Sequence, residues 1–348
     1  MAVLPNFRPL GPLEWILRRL TTTSWSLLTC VSAEDRCTAS LDVMSKLRRV
    51  SDCTILEVSD PEIGNRFFRP RQAATKKNAG IMKDIEERTR SVSVTRSQSG
   101  LLCREQEIMD LIRQFASTCT PNVVIDISCI PKRFFFPFLT VLSETPRVRN
   151  LVVCYTCPER YGDILGEDPE VWAPLPMYGG DPLQPKRDAT LIIGVGYQPL
   201  RLHEFLDGVR FPPGNVKLLL PFPSLPPGFV DNWKFIVQTK RELPQLSNEA
   251  IVRVSTYNVS LAFDHLVNLT DQGNSPIVIL APFGPKTISL AMCLYGIARR
   301  AKSRVVEIGY TQPTIYGDAY SIGIAYQNKR PVIHAYCIRL DDNQCYAF

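Results

Sequence analysis

The sequence predicts an α/β protein built as two tandem Rossmann-like halves with mainly parallel sheets, related by internal duplication. Three observations predict it. Apolar strand-length runs alternate with helix-length segments; a strand–Pro-Lys–helix stretch occurs twice; and the motif Tyr-Thr-x-Pro-x-x-Tyr-Gly-Asp also occurs twice.

In the first half, residues 26–32, 53–58, 123–128 and 151–155 read as strands, and 39–49, 101–117 and 133–142 have helical spacing of apolar residues. A short helix around Trp15-Ile16-Leu17 precedes the first strand. In the second half, 190–195, 216–220, 277–281 and 304–308 read as strands, and 200–206, 261–269 and 288–299 as helices. Strands apolar along their whole length, with helices between them, belong to parallel sheets covered on both faces.

The duplication is visible in the letters. Residues 123–132, ending at Pro131-Lys132, align without a gap on 277–286, ending at Pro285-Lys286, 154 positions later. At an offset of 155, Tyr155-Thr156-Cys157-Pro158-Glu159-Arg160-Tyr161-Gly162-Asp163 aligns on Tyr310-Thr311-Gln312-Pro313-Thr314-Ile315-Tyr316-Gly317-Asp318, with six of nine residues identical. Two matches at nearly one offset make chance an inadequate account.

The repeat sets the expected organisation. A first half, 1–165, carries an insertion at 65–100 rich in Arg, Lys, Ser and Thr, read as a solvated basic loop. A connector at 166–188 holds Pro169, Pro174, Pro176, Pro182 and Pro185. The second half, 189–348, has a Pro-rich run at 221–228 in place of that insertion and ends in a β-hairpin turning around 327–330.

Composition narrows the function classes. With 45% hydrophobic and 21% charged residues among 348, the chain can bury a sizeable core. A net charge of +6 suits an anionic ligand, though a solvated face gives the same number. No run of 18 apolar residues offers a membrane span. The eleven cysteines show no metal or disulfide spacing, and Cys154-x-x-Cys157 becomes Gly309 and Gln312 in the second copy, so a reduced, cytoplasmic protein is expected.

Enzymatic signals are thin, and the expectation leans away from catalysis. His203, His265 and His334 lie in dissimilar surroundings, and neither a nucleophile elbow nor a zinc-protease helix occurs. Asp126 ends a buried strand but is Leu280 in the second copy, which favours a loop-capping acid over a catalytic one. No Walker A loop and no complete dinucleotide fingerprint is present, since Gly194-Val195-Gly196 lacks the third glycine; no cofactor is expected.

The Pro-Lys turns carry the binding expectation. In open α/β sheets, ligands bind beyond the carboxyl ends of the strands, and a helix start there offers free N–H groups to anions. Lys132 and Lys286 would each add a full charge, Gly284 would admit a close approach, and Thr287 would add a hydroxyl. Tyr155, Tyr161, Tyr310, Tyr316, Gln312, Asp163 and Asp318 either stack on and bond a base or lock their loops.

Phe283-Gly284-Pro285-Lys286-Thr287-Ile288-Ser289-Leu290-Ala291 resembles the strand–turn–helix segment of the CRISPR-associated Rossmann-fold sensor domains, called CARF, and of their SAVED relatives. Pro285 departs from the small polar residue usual in that turn, and the first copy, Cys129-Ile130-Pro131-Lys132, has no glycine. The resemblance implies a sensor in a prokaryotic defence or stress pathway that binds a nucleotide, a cyclic oligonucleotide among the candidates, between two Rossmann units. It also implies a separate effector protein, because no effector domain is recognisable. Direct nucleic-acid binding through the basic insertion is the less favoured reading. An enzyme acting on a nucleotide or phosphorylated small molecule, and a structural subunit, are the alternatives.

Overall fold

The computed structural model describes residues 7–89, 92–163, 165–180, 188–209, 211–224, 228–271 and 275–348. The chain divides into two compact units. One is Met1–Glu167 with Thr314–Cys345; the other is Asp168–Pro313 with Tyr346–Phe348.

The first unit is built on five parallel strands: β1 (Trp25–Val31), β2 (Val50–Ser59), β3 (Ser93–Gly100), β4 (Asn122–Asp126) and β5 (Asn150–Thr156). They lie in the order β5-β4-β1-β2-β3, with β1 paired to both β2 and β4. Helices α1 (Ala39–Lys46), α2 (Phe68–Thr89), α3 (Glu105–Thr118) and α4 (Lys132–Glu144) make the connections. Every residue of β1 and of β5 is buried, as expected for strands covered on both faces.

The second unit repeats this plan. Its strands β6 (Ala189–Gly194), β7 (Val216–Phe222), β8 (Ile251–Ser255), β9 (Ile277–Pro282) and β10 (Val305–Tyr310) lie in the order β8-β7-β6-β9-β10. All four junctions are parallel. The connecting helices are α5 (Leu202–Val209), α6 (Gly228–Glu242), α7 (Val259–Thr270) and α8 (Lys286–Ala301). Each sheet therefore runs 3-2-1-4-5 in its own chain order, the doubly wound Rossmann arrangement. The duplicated letters are a duplicated topology.

Two expectations are corrected. The 65–100 stretch is no loop: it forms the 22-residue helix α2 and the edge strand β3. Helix α2 buries only Asn78, Met82 and Ile85, so its apolar face is too sparse to announce a helix. The C-terminal segment does not close the second half. Its strand Ile333–Leu340 pairs antiparallel with β5 and with Leu10–Pro12, extending the first sheet, and the local hairpin shrinks to Tyr326–Gln327 against Arg330–Pro331. Within the Pro-rich connector, Ala173–Pro174 pairs antiparallel with β10. Its stretch 181–187, and 225–227 of the second Pro-rich run, lie outside the described residues.

A buried ion cluster fixes the amino-terminal edge of the second sheet. Arg299, fully buried near the end of α8, reaches Asp271 at 3.0 Å, the Val305 carbonyl at 3.1 Å and the Ser275 and Pro276 carbonyls at 3.0 and 3.1 Å. Asp271 also accepts from the Tyr295 hydroxyl at 2.6 Å and from Arg304. Burial alone would raise the Asp271 carboxyl, but Tyr295, Arg304 and Arg299 outweigh it and hold the group below its ordinary value.

We predict that Arg299→Leu lowers stability by about 3 kcal/mol in denaturant titrations, because Asp271 is left without its buried partner. A carboxyl held low when folded contributes fully above its unfolded value and loses that contribution as pH falls through the folded one. Asp271→Asn should therefore destabilise at neutral pH, while the difference from the parent narrows in acid.

Candidate functional site

The order 3-2-1-4-5 sends the chain leaving the first strand to one side of the sheet and the chain leaving the fourth to the other. In such a sheet the switch point lies at their carboxyl ends, between β1 and β4 in the first unit and between β6 and β9 in the second. Both Pro-Lys turns sit there. Pro131 (φ −59°, ψ 151°) and Pro285 (φ −58°, ψ 155°) cap α4 and α8, which begin on Lys132 and Lys286. Neither N-cap proline makes a side-chain capping hydrogen bond. Both lysines are half-buried. The letter repeat is a repeat of backbone geometry.

The residues around the first switch point form a closed polar network. Just after β1, Arg36 is 2% exposed and donates from Nε and Nη2 to Glu34 at 3.0 and 2.6 Å. Its Nη1 donates to the Tyr155 hydroxyl at 3.0 Å and the Thr156 carbonyl at 3.3 Å. Tyr155 and Tyr161 share a hydroxyl–hydroxyl bond of 2.8 Å, and the Ser321 hydroxyl bonds Glu34. Burial opposes the charge of Arg36, yet Glu34 and the surrounding groups push its pKa well up, so it remains a cation.

Asp126, at the end of β4, accepts from Ser40 at 2.5 Å, from the Ser128 N–H at 2.8 Å and from the Ser128 hydroxyl. The Ser128 hydroxyl in turn accepts from the Thr156 N–H at 2.7 Å. Burial raises the Asp126 carboxyl above the usual range, against the serine hydrogen bonds. This acid organises the turn into α4 from within the fold.

In the second unit the two loops pack backbone on backbone. A Cβ on Gly196 would stand 2.3 Å from the Phe283 carbonyl oxygen, and one on Gly284 would stand 2.9 Å from that of Val195. Gly284 thus admits a neighbouring strand end, where the sequence suggested close approach by a ligand. Thr287 is also turned inward, its hydroxyl donating to the Thr256 carbonyl. Gln312 is 4% exposed, and its Nε2 donates to the Pro313 carbonyl at 2.9 Å. Tyr310 stays half-buried, with its ring 5.8 Å from that of Phe283.

The repeated tyrosine motif is not used symmetrically. Tyr310 and Gln312 belong to the second unit, whereas Tyr316 and Asp318 belong to the first. In the first unit, Tyr316 meets Tyr320 edge-on at 5.6 Å, Tyr320 meets Tyr161 at 6.3 Å, and Arg71 lies 5.5 Å from the Tyr316 ring. Asp163 and Asp318 are exposed, and Asp318 accepts from the Ala319 N–H at 2.9 Å. Of the residues named from sequence, Tyr155, Thr287, Gln312 and Gly284 are spent inside the fold. Lys132, Lys286, Tyr161, Tyr310 and Tyr316 keep part of their surface.

Sequence reasoning missed Arg36 and Glu34. Two opposite charges two residues apart, directly after an apolar strand, were the available signal; the partner, Tyr155, is 119 positions away. Among the described residues, no three His, Cys, Asp or Glu side chains are grouped to hold a metal. Burial pushes the Cys154 thiol well above its ordinary value, which keeps it protonated and unreactive.

No protein-family model matches the chain, and no curated protein matches it. Among solved structures it is similar to a universal stress protein from Archaeoglobus fulgidus, at 8% identity and a TM-score of 0.24 over 83% of this chain and 96% of that one. Likeness at that level bears on neither fold nor activity, and the strand order alone defines the class.

Arg36→Met should cost about 3 kcal/mol by leaving Glu34 without its buried cation, and Tyr155→Phe about 1 kcal/mol. Gly196→Ala should cost about 2 kcal/mol, because two backbones must separate to admit a methyl group. Urea titrations of the three variants check these values.

Proposed function

We propose that the protein is a nucleotide-binding sensor or accessory protein whose phosphate contacts are made at the two Pro-Lys helix starts. One observation carries the reading. Two sheets of the same order each place a proline-capped helix N-terminus and a lysine beside the switch between first and fourth strands. Phosphates bind at such positions because free N–H groups and the helix dipole favour negative charge, and a lysine adds to both.

The half-buried rings of Tyr161, Tyr310 and Tyr316 supply surfaces on which a base can stack. The resemblance of 283–291 to CARF and SAVED sensors supports a cyclic oligonucleotide as the ligand and a cytoplasmic role in a prokaryotic defence or stress pathway. It supports a separate effector protein as the partner. Within the described residues no helix is long and apolar enough to cross a membrane.

Thermal-shift and calorimetric titration against nucleotides and cyclic di- and oligonucleotides test this. One ligand should raise the melting temperature, and Lys132→Ala or Lys286→Ala should weaken its binding roughly tenfold, the usual scale for one charge-assisted contact. No shift with any nucleotide, or unchanged affinity in both variants, contradicts the reading. Turnover of a bound nucleotide by the purified protein would point to an enzyme instead.

A further inference from the structure

The outer edge of the first sheet is open. Strand β3 ends the order β5-β4-β1-β2-β3, and among the described residues the only backbone bond to its outer side is that of the Cys103 N–H to the Gly100 carbonyl at 3.1 Å, at the strand's very end. Such an edge is a template for another strand, and proteins ordinarily block it with a proline, a bulge, lysines or a covering segment. Ser93-Val94-Thr95-Arg96-Ser97-Gln98-Ser99-Gly100 has none of these. Its register with β2 runs unbroken from Asp52↔Ser93 to Ser59↔Gly100, and its one charge, Arg96, is held by Glu86 of α2. Ser93, Thr95, Arg96 and Gln98 are exposed.

The hydrogen-bond parity says which residues are available. Leu101 donates its N–H to the Ser59 carbonyl, so odd-numbered residues of β3 turn their backbone groups towards β2. Val94, Arg96, Gln98 and Gly100 therefore turn theirs outward. In an antiparallel pair, hydrogen-bonded positions alternate with closer, non-hydrogen-bonded ones. A two-fold axis through Ser97 satisfies this alternation for two identical strands. Arg96 and Gln98 then exchange bonds with Gln98 and Arg96 of the other copy, and the Gly100 N–H donates to the Val94 carbonyl of that copy, the Gly100 carbonyl being held by Cys103.

That register also suits the side chains. Ser97 faces Ser97, and Thr95 faces Ser99, giving a ladder of small hydroxyls on one face. On the other face each Arg96 meets Gln98, whose amide donates to Glu57 at 3.0 Å, and no like charges stand opposite. The hydroxyl face has room: a groove of about 340 Å³ runs beside β3, lined by Ser93, Thr95 and Ser97 together with Gln114 and Thr118 of α3. From the open edge and its self-complementarity we infer that the protein dimerises through β3, joining two copies of the first sheet into one continuous antiparallel junction. A closed two-fold pairing also disposes of the edge in every copy.

Sedimentation and cysteine cross-linking test the inference. Wild-type protein should sediment at twice the 39.3 kDa of one chain. The cross-linking background carries Cys103→Ser, because Cys103 is the single native cysteine that is not buried. In it, Ser97→Cys should form an inter-chain disulfide on mild oxidation, roughly tenfold faster than Thr95→Cys, whose Cα atoms in the two copies would lie far beyond disulfide reach. Gln98→Pro removes an outward N–H and should yield a folded monomer. A monomeric wild type, equal cross-linking at both positions, or a dimer that survives in folded Gln98→Pro overturns the proposal. If Gln98→Pro does not fold, the cysteine pair decides alone.

Discussion

The pairing of the first strand with the fourth is the constraint on which each unit depends. In both units that pair is parallel and buried: Ser26–Leu28 against Val123–Ile125, and Ala189–Gly194 against Ile277–Pro282. Parallel strands cannot be joined by a short turn, so the chain leaving each must cross the sheet through a helix. Because the first strand's chain goes one way and the fourth's the other, the carboxyl ends part and a helix start is delivered to the gap. The Pro-Lys turns follow from this topology, and proline suits them because the first helical turns have N–H groups to spare.

The two copies solve the gap differently. The first fills it with charge: Arg36, Glu34, Tyr155 and Tyr161 satisfy one another, and Ser321 brings the C-terminal segment into the same network. The second fills it with backbone, Gly196 lying against Phe283 and Gly284 against Val195. Equivalent turns with unlike surroundings are what divergence after duplication leaves. They give each lysine its own setting.

Much of this was legible in the sequence because buried parallel strands are apolar in every position, and because duplicated turns keep their proline and lysine. What was not legible lacked a hydrophobic signal or depended on distant partners. Strand β3 is Ser, Thr, Gln and Arg at a sheet edge, so nothing in its pattern separates it from a linker. Helix α2 is polar for most of its length. The C-terminal strand reads as half of a local hairpin, yet its partner, β5, lies nearly two hundred residues earlier. Thr287 and Gln312 matched a binding pattern by position, and only their hydrogen bonds reveal that they face inward.

Backbone hydrogen exchange with and without a bound cyclic oligonucleotide tests the central claim, that the duplicated helix starts are the anion contacts. The first-turn amides following Pro131 and Pro285 lie outside the intrahelical hydrogen-bond ladder. Ligand should slow exchange at residues 132–133 and 286–288 while leaving the far ends of α4 and α8 unchanged. Protection confined to other regions, with both turns exchanging as before, would contradict the account.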